Sequence, residues 1–277
     1  MKKLTPRQRI IVMVVPLGIL AVGIIGHALF GTVALVIPPV LACVFLAYLV
    51  IEARHYAQLL FARQLHESRA TYRQWELLYG MSEFLRPVHP LPPTRGWAAS
   101  PDLLREIMTH VLENAPDCVV EASSGTSTVI IGYCLQRLGK GKVYALEHDP
   151  VYAARTRRAL ELHGLTAFAE VIDAPLVEHA VGGARHEWYD LKGLQTKDAI
   201  GLLVVDGPPE TVQSQARYPA VPLLRDRLAP GAVVLLDDGG RADERATAAR
   251  WANECPGSEV KYLDLEAGAW WLRMPFR

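Results

Sequence analysis

The sequence predicts an α/β domain with a doubly wound, Rossmann-like sheet of seven strands and a terminal β-hairpin, preceded by a transmembrane helical hairpin. Three observations lead to this prediction. Residues 10–51 contain no Asp, Glu, Lys or Arg, so the start of the chain is strongly apolar. From about residue 96 onward, short apolar runs alternate with amphipathic runs, which is typical of a parallel sheet covered by helices. Several of the apolar runs also end at an acidic residue.

Composition limits the classes of protein to which the chain can belong. With 277 residues it can hold one sizeable globular domain and additional segments. The 29 basic and 29 acidic residues give a formal net charge of zero, which argues against a nucleic-acid partner. The four cysteines lie far apart, without a CxxC pair or clustered histidines, so a zinc site is not expected.

The apolar run 10–51 is about twice as long as the ~20 residues that one helix needs to cross a membrane. We therefore expect two spans, over about 10–27 and 31–51, with a turn near 26–31. A signal peptide does not explain the run, because its apolar region covers only about 7–15 residues. Basic residues flank the two spans and are missing from the turn, which predicts that both ends are cytoplasmic. These residues are Lys2, Lys3, Arg7, Arg9, Arg54 and Arg63.

Residues 56–95 are expected to connect this anchor to a globular domain. Leucines and Trp75 recur among Arg, Gln and Glu up to about Gly80, which is typical of an amphipathic helix. Four prolines in residues 86–95 exclude a helix there and predict an extended linker or a lid. The sequence thus divides into an anchor (1–55), a connecting region (56–95) and a globular domain (96–277).

The globular domain is expected to begin with a helix, because Ser100 and Pro101 form a typical helix start. Alternation then predicts five parallel strands and their connecting helices. The predicted strands cover 118–121, 143–147, 167–172, 200–206 and 232–237, and the predicted helices cover 101–114, 128–138, 150–163, 221–227 and 243–253. Two further strands, 259–265 and 269–274, are separated by only three residues, so they form an antiparallel hairpin.

All five predicted parallel strands end at or beside acidic residues. In doubly wound sheets, ligands bind beyond the carboxyl ends of the strands, so these side chains are expected to line a ligand site. The loop after the first strand, residues 121–128, consists mainly of small residues around Gly125, which lets a ligand approach the backbone closely. The acidic residues are Glu121, Glu147, Asp173, Asp206, Asp237 and Asp238.

These features resemble the class I S-adenosylmethionine-dependent methyltransferases, particularly the small-molecule O-methyltransferase-like branch. The resemblance covers about residues 96–277 and leaves the apolar anchor outside. It rests on the terminal hairpin and on segments 121–128, 145–149, 173–175, 204–209, 228–231 and 236–238. The glycine loop alone fits an NAD-binding Rossmann protein equally well, but the hairpin and the Asp-Gly-Pro-Pro and Asp-Asp strand ends favour the methyltransferases.

The resemblance implies S-adenosyl-L-methionine as the cofactor and assigns residues to it. In this family the first loop lies under the methionine part of the cofactor, which implicates Glu121, Ser123, Gly125, Ser127 and Thr128. Glu147 matches the acidic residue that accepts hydrogen bonds from both ribose hydroxyls. The other candidates for cofactor binding are His148, Asp173, Ala174 and Asp206.

Methyl transfer to a hydroxyl requires alignment of the reacting atoms and removal or polarisation of the hydroxyl proton. Asp206 and Asp238 are the predicted catalytic residues, because their strand ends face the expected acceptor. Asp206, Asp237 and Asp238 also offer the oxygen ligands that Mg²⁺ accepts, although catechol-type relatives have Asp followed by Asn after the fifth strand. A magnesium site and a metal-free carboxylate base are therefore both open.

The expected function is O-methylation of a small or lipid-linked acceptor by a two-span membrane protein whose catalytic domain is cytoplasmic. The alternative from another class is a non-catalytic cofactor-binding module of a membrane complex. A polyamine-synthase-like transferase ranks lower, because that family has no anchor. Trp188 and Tyr189 are candidates either for the roof of an acceptor pocket or for core packing.

Overall fold

A computed structural model describes residues 6–276, which form two compact units that divide between Arg69 and Ala70. The first unit contains helix α1 (Pro6–Phe30), a 3-10 segment (Gly31–Val36) and the first part of helix α2 (Ile37–Leu85). Helix α2 runs without a break across the boundary between the units, so the predicted second span and the predicted connecting helix are one helix.

Within the first unit the chain reverses at the 3-10 segment. Gly31 has a φ angle of +68°, which glycine adopts without steric cost. A Cβ atom at Gly23 would lie 2.8 Å from Pro38 Cγ, and one at Gly26 would lie 3.3 Å from Ala34 Cβ. In a straight helix residues 23 and 38 would be about 22 Å apart, so the contact requires a turn. The turn falls at Gly31–Val36, a few residues later than predicted.

The large apolar side chains of this unit are mostly exposed, which is unusual for a surface in contact with water. One helical stretch in the described residues, Ile10–Leu85, is long and apolar enough to cross a membrane. This finding rests on length and composition alone and supports an anchor only weakly. The two separate spans stay a prediction.

The second unit contains the predicted mixed sheet of seven strands. The strands are β1 (Cys118–Ala122), β2 (Lys142–Glu147), β3 (Ala169–Asp173), β6 (Ile200–Val205), β7 (Leu228–Leu236), β8 (Glu259–Leu263) and β9 (Ala269–Arg273). Their order in the sheet is β3-β2-β1-β6-β7-β9-β8. Strands β1, β2, β3, β6 and β7 are parallel, and β9 and β8 add to the β7 edge as an antiparallel hairpin. The strand order reverses between β1 and β6, which marks the position where doubly wound sheets bind ligands.

Helices cover both faces of this sheet and bury its apolar strands. One core contains side chains from α3 (Pro101–Asn114), α4 (Thr126–Leu138) and α5 (Pro150–Leu162) together with Met81 and Leu85 of α2. The opposite core contains side chains from α6 (Ala220–Leu224) and α7 (Ala242–Glu254), with Trp251 fully buried. Cys118, Cys134 and Cys255 are buried free thiols within this unit, as expected for a reduced protein.

One element was not predicted from the sequence. Between β3 and β6, a fully described stretch, strands β4 (Leu176–Val181) and β5 (Ala184–Tyr189) form a separate antiparallel sheet of two strands. Gly182 and Gly183 form the turn, and both have positive φ angles, +59° and +80°. A Gly-Gly pair between two runs of this length is a hairpin signal that could have identified the element. Many of its side chains are exposed and charged, which weakens the apolar pattern.

Candidate cofactor and acceptor site

The loop after β1, residues 121–128, is held in shape by a buried glutamate, and we call it the cofactor loop. Glu121 is fully buried and accepts hydrogen bonds from the hydroxyls of Ser127 and Thr128, the latter at 2.6 Å. The Thr128 hydroxyl in turn accepts from the backbone N–H of Gly125 at 3.0 Å. Burial raises the pKa of Glu121 to about 7, against the lowering effect of the two hydroxyls.

The cofactor loop also contains a strained residue. Ser123 has a φ angle of +127°, a region that residues with a side chain rarely occupy. The Ser123 N–H donates to Leu146 O of the neighbouring strand at 3.0 Å, which ties the loop to β2. Strain of this kind persists where the surrounding structure fixes the backbone, and it is common at ligand sites.

Glu147, the last residue of β2, is 5% exposed and lies next to the cofactor loop. One carboxylate oxygen accepts from the Ser124 hydroxyl at 2.9 Å, and the other accepts from the Asp149 N–H at 3.0 Å. The Nδ1 atom of His148 lies 3.3 Å from the second oxygen. Each oxygen of a carboxylate has two lone pairs, so Glu147 can accept two further hydrogen bonds.

The two candidates after β3 lie in different environments. Asp173 is exposed, and its carboxylate pairs with Arg157 at 2.7 Å. Ala174 is fully buried, and its N–H donates to Glu147 O at 2.8 Å. The structure therefore places Ala174 beside the ribose candidate Glu147, whereas the carboxylate of Asp173 is occupied by an arginine.

Three aspartates at the ends of β6 and β7 come together, and we call Asp206, Asp237 and Asp238 the acidic cluster. One ligand oxygen from each lies within 4.8 Å of the others. Burial raises the pKa of Asp206 well above its ordinary range, and it raises the pKa of Asp237 to about 6 with a further contribution from the charge of Asp238. Asp238 has a φ angle of +57°, and its N–H donates to Asp237 Oδ1 at 2.7 Å.

Arg217 lies against the acidic cluster, and it was not identified from the sequence. Its side chain is 5% exposed and contacts Asp206 and Asp238 at 3.2 and 2.8 Å. It lies in the loop between β6 and α6, in which no sequence pattern was interpretable. The sequence feature that could have identified Arg217 is an arginine among apolar and small residues, in the segment Ala216-Arg-Tyr-Pro219. This arginine follows Asp206 by eleven residues.

Tyr189 extends from the end of β5 to the position where the strand order reverses. A Cβ atom at Gly207 would overlap the Tyr189 hydroxyl and would also lie 3.4 Å from Ser123 Cβ. The rings of Tyr189 and His148 are 5.8 Å apart in an edge-to-face arrangement. Burial raises the pKa of Tyr189 well above its ordinary range, and the nearby charge of Glu147 adds to the effect. Tyr189 and its neighbour Trp188 both belong to the buried core, so core packing, one of the two roles expected for them, applies to both side chains.

The proline-rich residues 86–95, which we call the proline segment, contact the cofactor loop. The Thr126 hydroxyl donates to Pro93 O at 2.9 Å, and the Val88 N–H donates to the Tyr133 hydroxyl at 3.1 Å. Arg95 forms a close ion pair with Glu266 in the turn between β8 and β9. The segment is therefore extended over the start of α4.

Part of the second unit matches a known family model. Residues 122–239 match a family model described as a methyltransferase domain. This range includes most of the cofactor loop, Glu147, the acidic cluster and Arg217. The second unit accordingly has a Rossmann-like methyltransferase fold, as the sequence predicted. No curated protein sequence matches the chain.

Three solved structures illustrate the similarity of fold. The S-adenosylhomocysteine-bound methyltransferase PaMTH1 from Podospora anserina is 16% identical, with a TM-score of 0.54 over 76% of this chain and 95% of that one. Cofactor-bound Rv0187 from MTB is 18% identical, with a TM-score of 0.51 over 74% and 91%. A putative O-methyltransferase from Klebsiella pneumoniae is 17% identical, with a TM-score of 0.50 over 75% and 96%.

Proposed function

We propose that the protein is a membrane-anchored methyltransferase that uses S-adenosyl-L-methionine to methylate a hydroxyl of a small or lipid-linked acceptor. The observation that carries this proposal is the position of Glu147. Its buried carboxylate has free lone pairs, and it lies beside the strained cofactor loop near the reversal of strand order. A carboxylate there can accept from two adjacent ribose hydroxyls and repels a phosphorylated ribose.

The remaining cofactor contacts follow from the same placement. The cofactor loop, with Ser123, Gly125, Ser127 and Thr128, would hold the methionine part, because its small side chains leave the backbone accessible. His148 and Ala174 flank Glu147 and would contact the nucleoside part. We propose that Asp173 contacts the cofactor only if its ion pair with Arg157, at 2.7 Å, is broken.

The bound cofactor would supply an electrophilic methyl group, and the protein would align the acceptor oxygen with it. We propose Asp206 as the group that takes the acceptor proton, because Arg217 donates to its Oδ1 atom and leaves its Oδ2 atom to accept the proton. Asp238 would position the acceptor from the next strand. Tyr189 is part of the buried core and its hydroxyl lies beside Gly207, so we propose that it supports the acceptor site from the side of the β4–β5 hairpin.

The anchor is proposed to cross the membrane twice, with both ends and the catalytic domain in the cytoplasm. The chain reversal at Gly31–Val36 supports two antiparallel spans, and the flanking basic residues support the orientation. We propose residues 1–55 as the anchor, 56–95 as the connecting region and 96–277 as the catalytic domain. A lipid-linked acceptor would reach such a domain without leaving the membrane surface.

Isotope transfer tests the proposal directly. Full-length protein in detergent would be incubated with methyl-labelled S-adenosyl-L-methionine and a membrane extract, and label would be followed into lipid and water-soluble fractions. We expect label in one of these fractions with wild-type protein and with Glu170→Gln, which changes an exposed glutamate on β3 away from the site. Cofactor binding without transfer would contradict catalysis and fit a non-catalytic module.

A further inference from the structure

The acidic cluster has the ligand chemistry of a magnesium site, so its fit to a metal ion can be tested on the geometry. Asp206, Asp237 and Asp238 supply carboxylate oxygens within 4.8 Å of one another. Mg²⁺ requires near-octahedral coordination by oxygens at about 2.0–2.1 Å and usually keeps several waters. The decisive question is whether the oxygens that face each other are available to such an ion.

The guanidinium of Arg217 already donates hydrogen bonds to two of these three carboxylates. Its Nη2 donates to Asp206 Oδ1 at 3.2 Å, to Asp206 O at 2.9 Å and to Asp238 Oδ2 at 2.8 Å. Its Nη1 donates to Asp237 O at 3.0 Å. One arginine thus contacts all three members of the cluster, two through their carboxylates and two through their backbone carbonyls.

Two further groups contact the carboxylates of the acidic cluster. Asp238 Oδ2 also pairs with Arg241 at 3.0 Å, and Asp237 Oδ1 accepts the Asp238 N–H at 2.7 Å. On its other side Arg217 faces Glu244, whose carboxylate lies 3.8 Å from Nη1. Arg217 is therefore surrounded by acidic groups. Its removal would leave their buried negative charges without a counter-ion.

We propose that Arg217 is the built-in cation of the acidic cluster, that the site takes no divalent metal ion, and that Arg217 positions Asp206 and Asp238 for methyl transfer. The positioning role rests on the proposed methyltransferase function, whereas the metal statement does not. A divalent ion on the remaining oxygens of Asp206 and Asp238 would lie close to the positive guanidinium groups of Arg217 and Arg241, which repel it. The planar guanidinium can bridge both carboxylates at once, a geometry that an ammonium group does not reproduce.

Metal binding is measured first, because it does not depend on knowing the acceptor. Mn²⁺ alone would be titrated into full-length protein in detergent, and free Mn²⁺ would be followed by electron paramagnetic resonance. We expect no stoichiometric binding to the wild type. One Mn²⁺ per chain that is lost in Asp237→Asn would overturn the proposal, as would a methyl-transfer rate that EDTA abolishes and Mg²⁺ restores.

The positioning role is measured with a pair of arginine variants. Arg217→Lys keeps the charge but loses the bridge, so we expect kcat to fall by about tenfold or more while the Kd of S-adenosyl-L-methionine changes by less than about twofold. Arg185→Lys is the matched control, since it makes the same change in an exposed ion pair with Glu178, and we expect near wild-type kcat. Unchanged kcat in a folded Arg217→Lys would overturn the positioning role.

A rescue experiment separates positioning from general loss of structure. In Arg217→Ala we expect added guanidinium ion to recover part of kcat and Mg²⁺ to recover none. Recovery by Mg²⁺ and not by guanidinium would overturn the proposal, because it would mean that the cluster works with a metal. If wild-type protein binds no S-adenosyl-L-methionine in calorimetry, the proposed function fails, and the Mn²⁺ titration still decides the metal question.

Discussion

Replacing Glu147 with glutamine is the most informative test of the cofactor site. The variant keeps the size of the side chain and its internal contacts. The amide oxygen can accept the Asp149 N–H, and the amide nitrogen can donate to the Ser124 hydroxyl, which is 2.9 Å from the native carboxylate. The fold should therefore persist, and any loss of affinity reports on the ligand.

The expected loss follows from the hydrogen bonds that the ribose would make. The native carboxylate can accept two charge-assisted hydrogen bonds, each contributing about 1.5–3 kcal/mol. In Glu147→Gln the amide nitrogen cannot accept one of them, and the other becomes a neutral bond of about 1 kcal/mol. The difference is about 3 kcal/mol, which corresponds to a Kd roughly a hundredfold higher.

Isothermal titration calorimetry of S-adenosyl-L-methionine into full-length protein in detergent measures this difference. Glu170→Gln is the matched control, because it makes the same change on the neighbouring strand β3, where the carboxylate pairs with Lys142 at 2.6 Å, and it should leave Kd unchanged. Wild-type affinity in a folded Glu147→Gln would refute the assignment of the ribose site to the end of β2.

Three further predictions follow from the same structure. Carbonate and high-salt washing should leave the full-length protein in the membrane fraction, and its release into the supernatant would contradict the anchor. Asp206→Asn and Asp238→Asn should each bind cofactor normally but lose roughly a hundredfold in turnover, and full activity in both would remove them from catalysis. The pKa of Glu121 is raised to about 7 in the folded state, from an ordinary value of 4.5, so the folded state binds this proton more tightly and loses stability as pH rises. The unfolding free energy of the wild type, taken relative to that of Glu121→Gln, should therefore fall by about 3 kcal/mol between about pH 4 and pH 8. Denaturant titrations at several pH values measure this difference. The same pH dependence in both proteins would contradict the assignment.

The parallel sheet could be predicted because its signals are local. Buried parallel strands are continuous apolar runs, and the acidic residues that end them are brought to one edge by the topology. Glu121, Glu147 and Asp206 were found in this way. The position of Ser123 in a strained backbone and the hydrogen bonds from Ser127 and Thr128 to Glu121 needed the structure, because the sequence does not encode a dihedral angle directly.

Long-range partners could not be predicted from these patterns. Arg217 reaches the acidic cluster from a loop whose conformation depends on packing against α7, through contacts such as that between Tyr218 O and the indole N–H of Trp251 at 2.8 Å. The β4–β5 hairpin was also missed, because its many exposed and charged side chains weaken the alternation of apolar and polar residues. The carboxylates at the strand ends left a magnesium site and a metal-free base both open, because the sequence pattern does not show the arginine that lies beside them.

The β4–β5 hairpin affects how the sequence of this domain can diverge in evolution. Its two strands form a sheet of their own, so the pairing of the seven-stranded sheet does not depend on its register. An insertion or deletion at the Gly182–Gly183 turn would leave the main sheet intact, since exposed turns tolerate such changes well. Yet the hairpin ends at Tyr189, whose hydroxyl lies against Gly207, the residue after Asp206. The hairpin turn can therefore diversify while the framework that holds the cofactor loop is inherited unchanged.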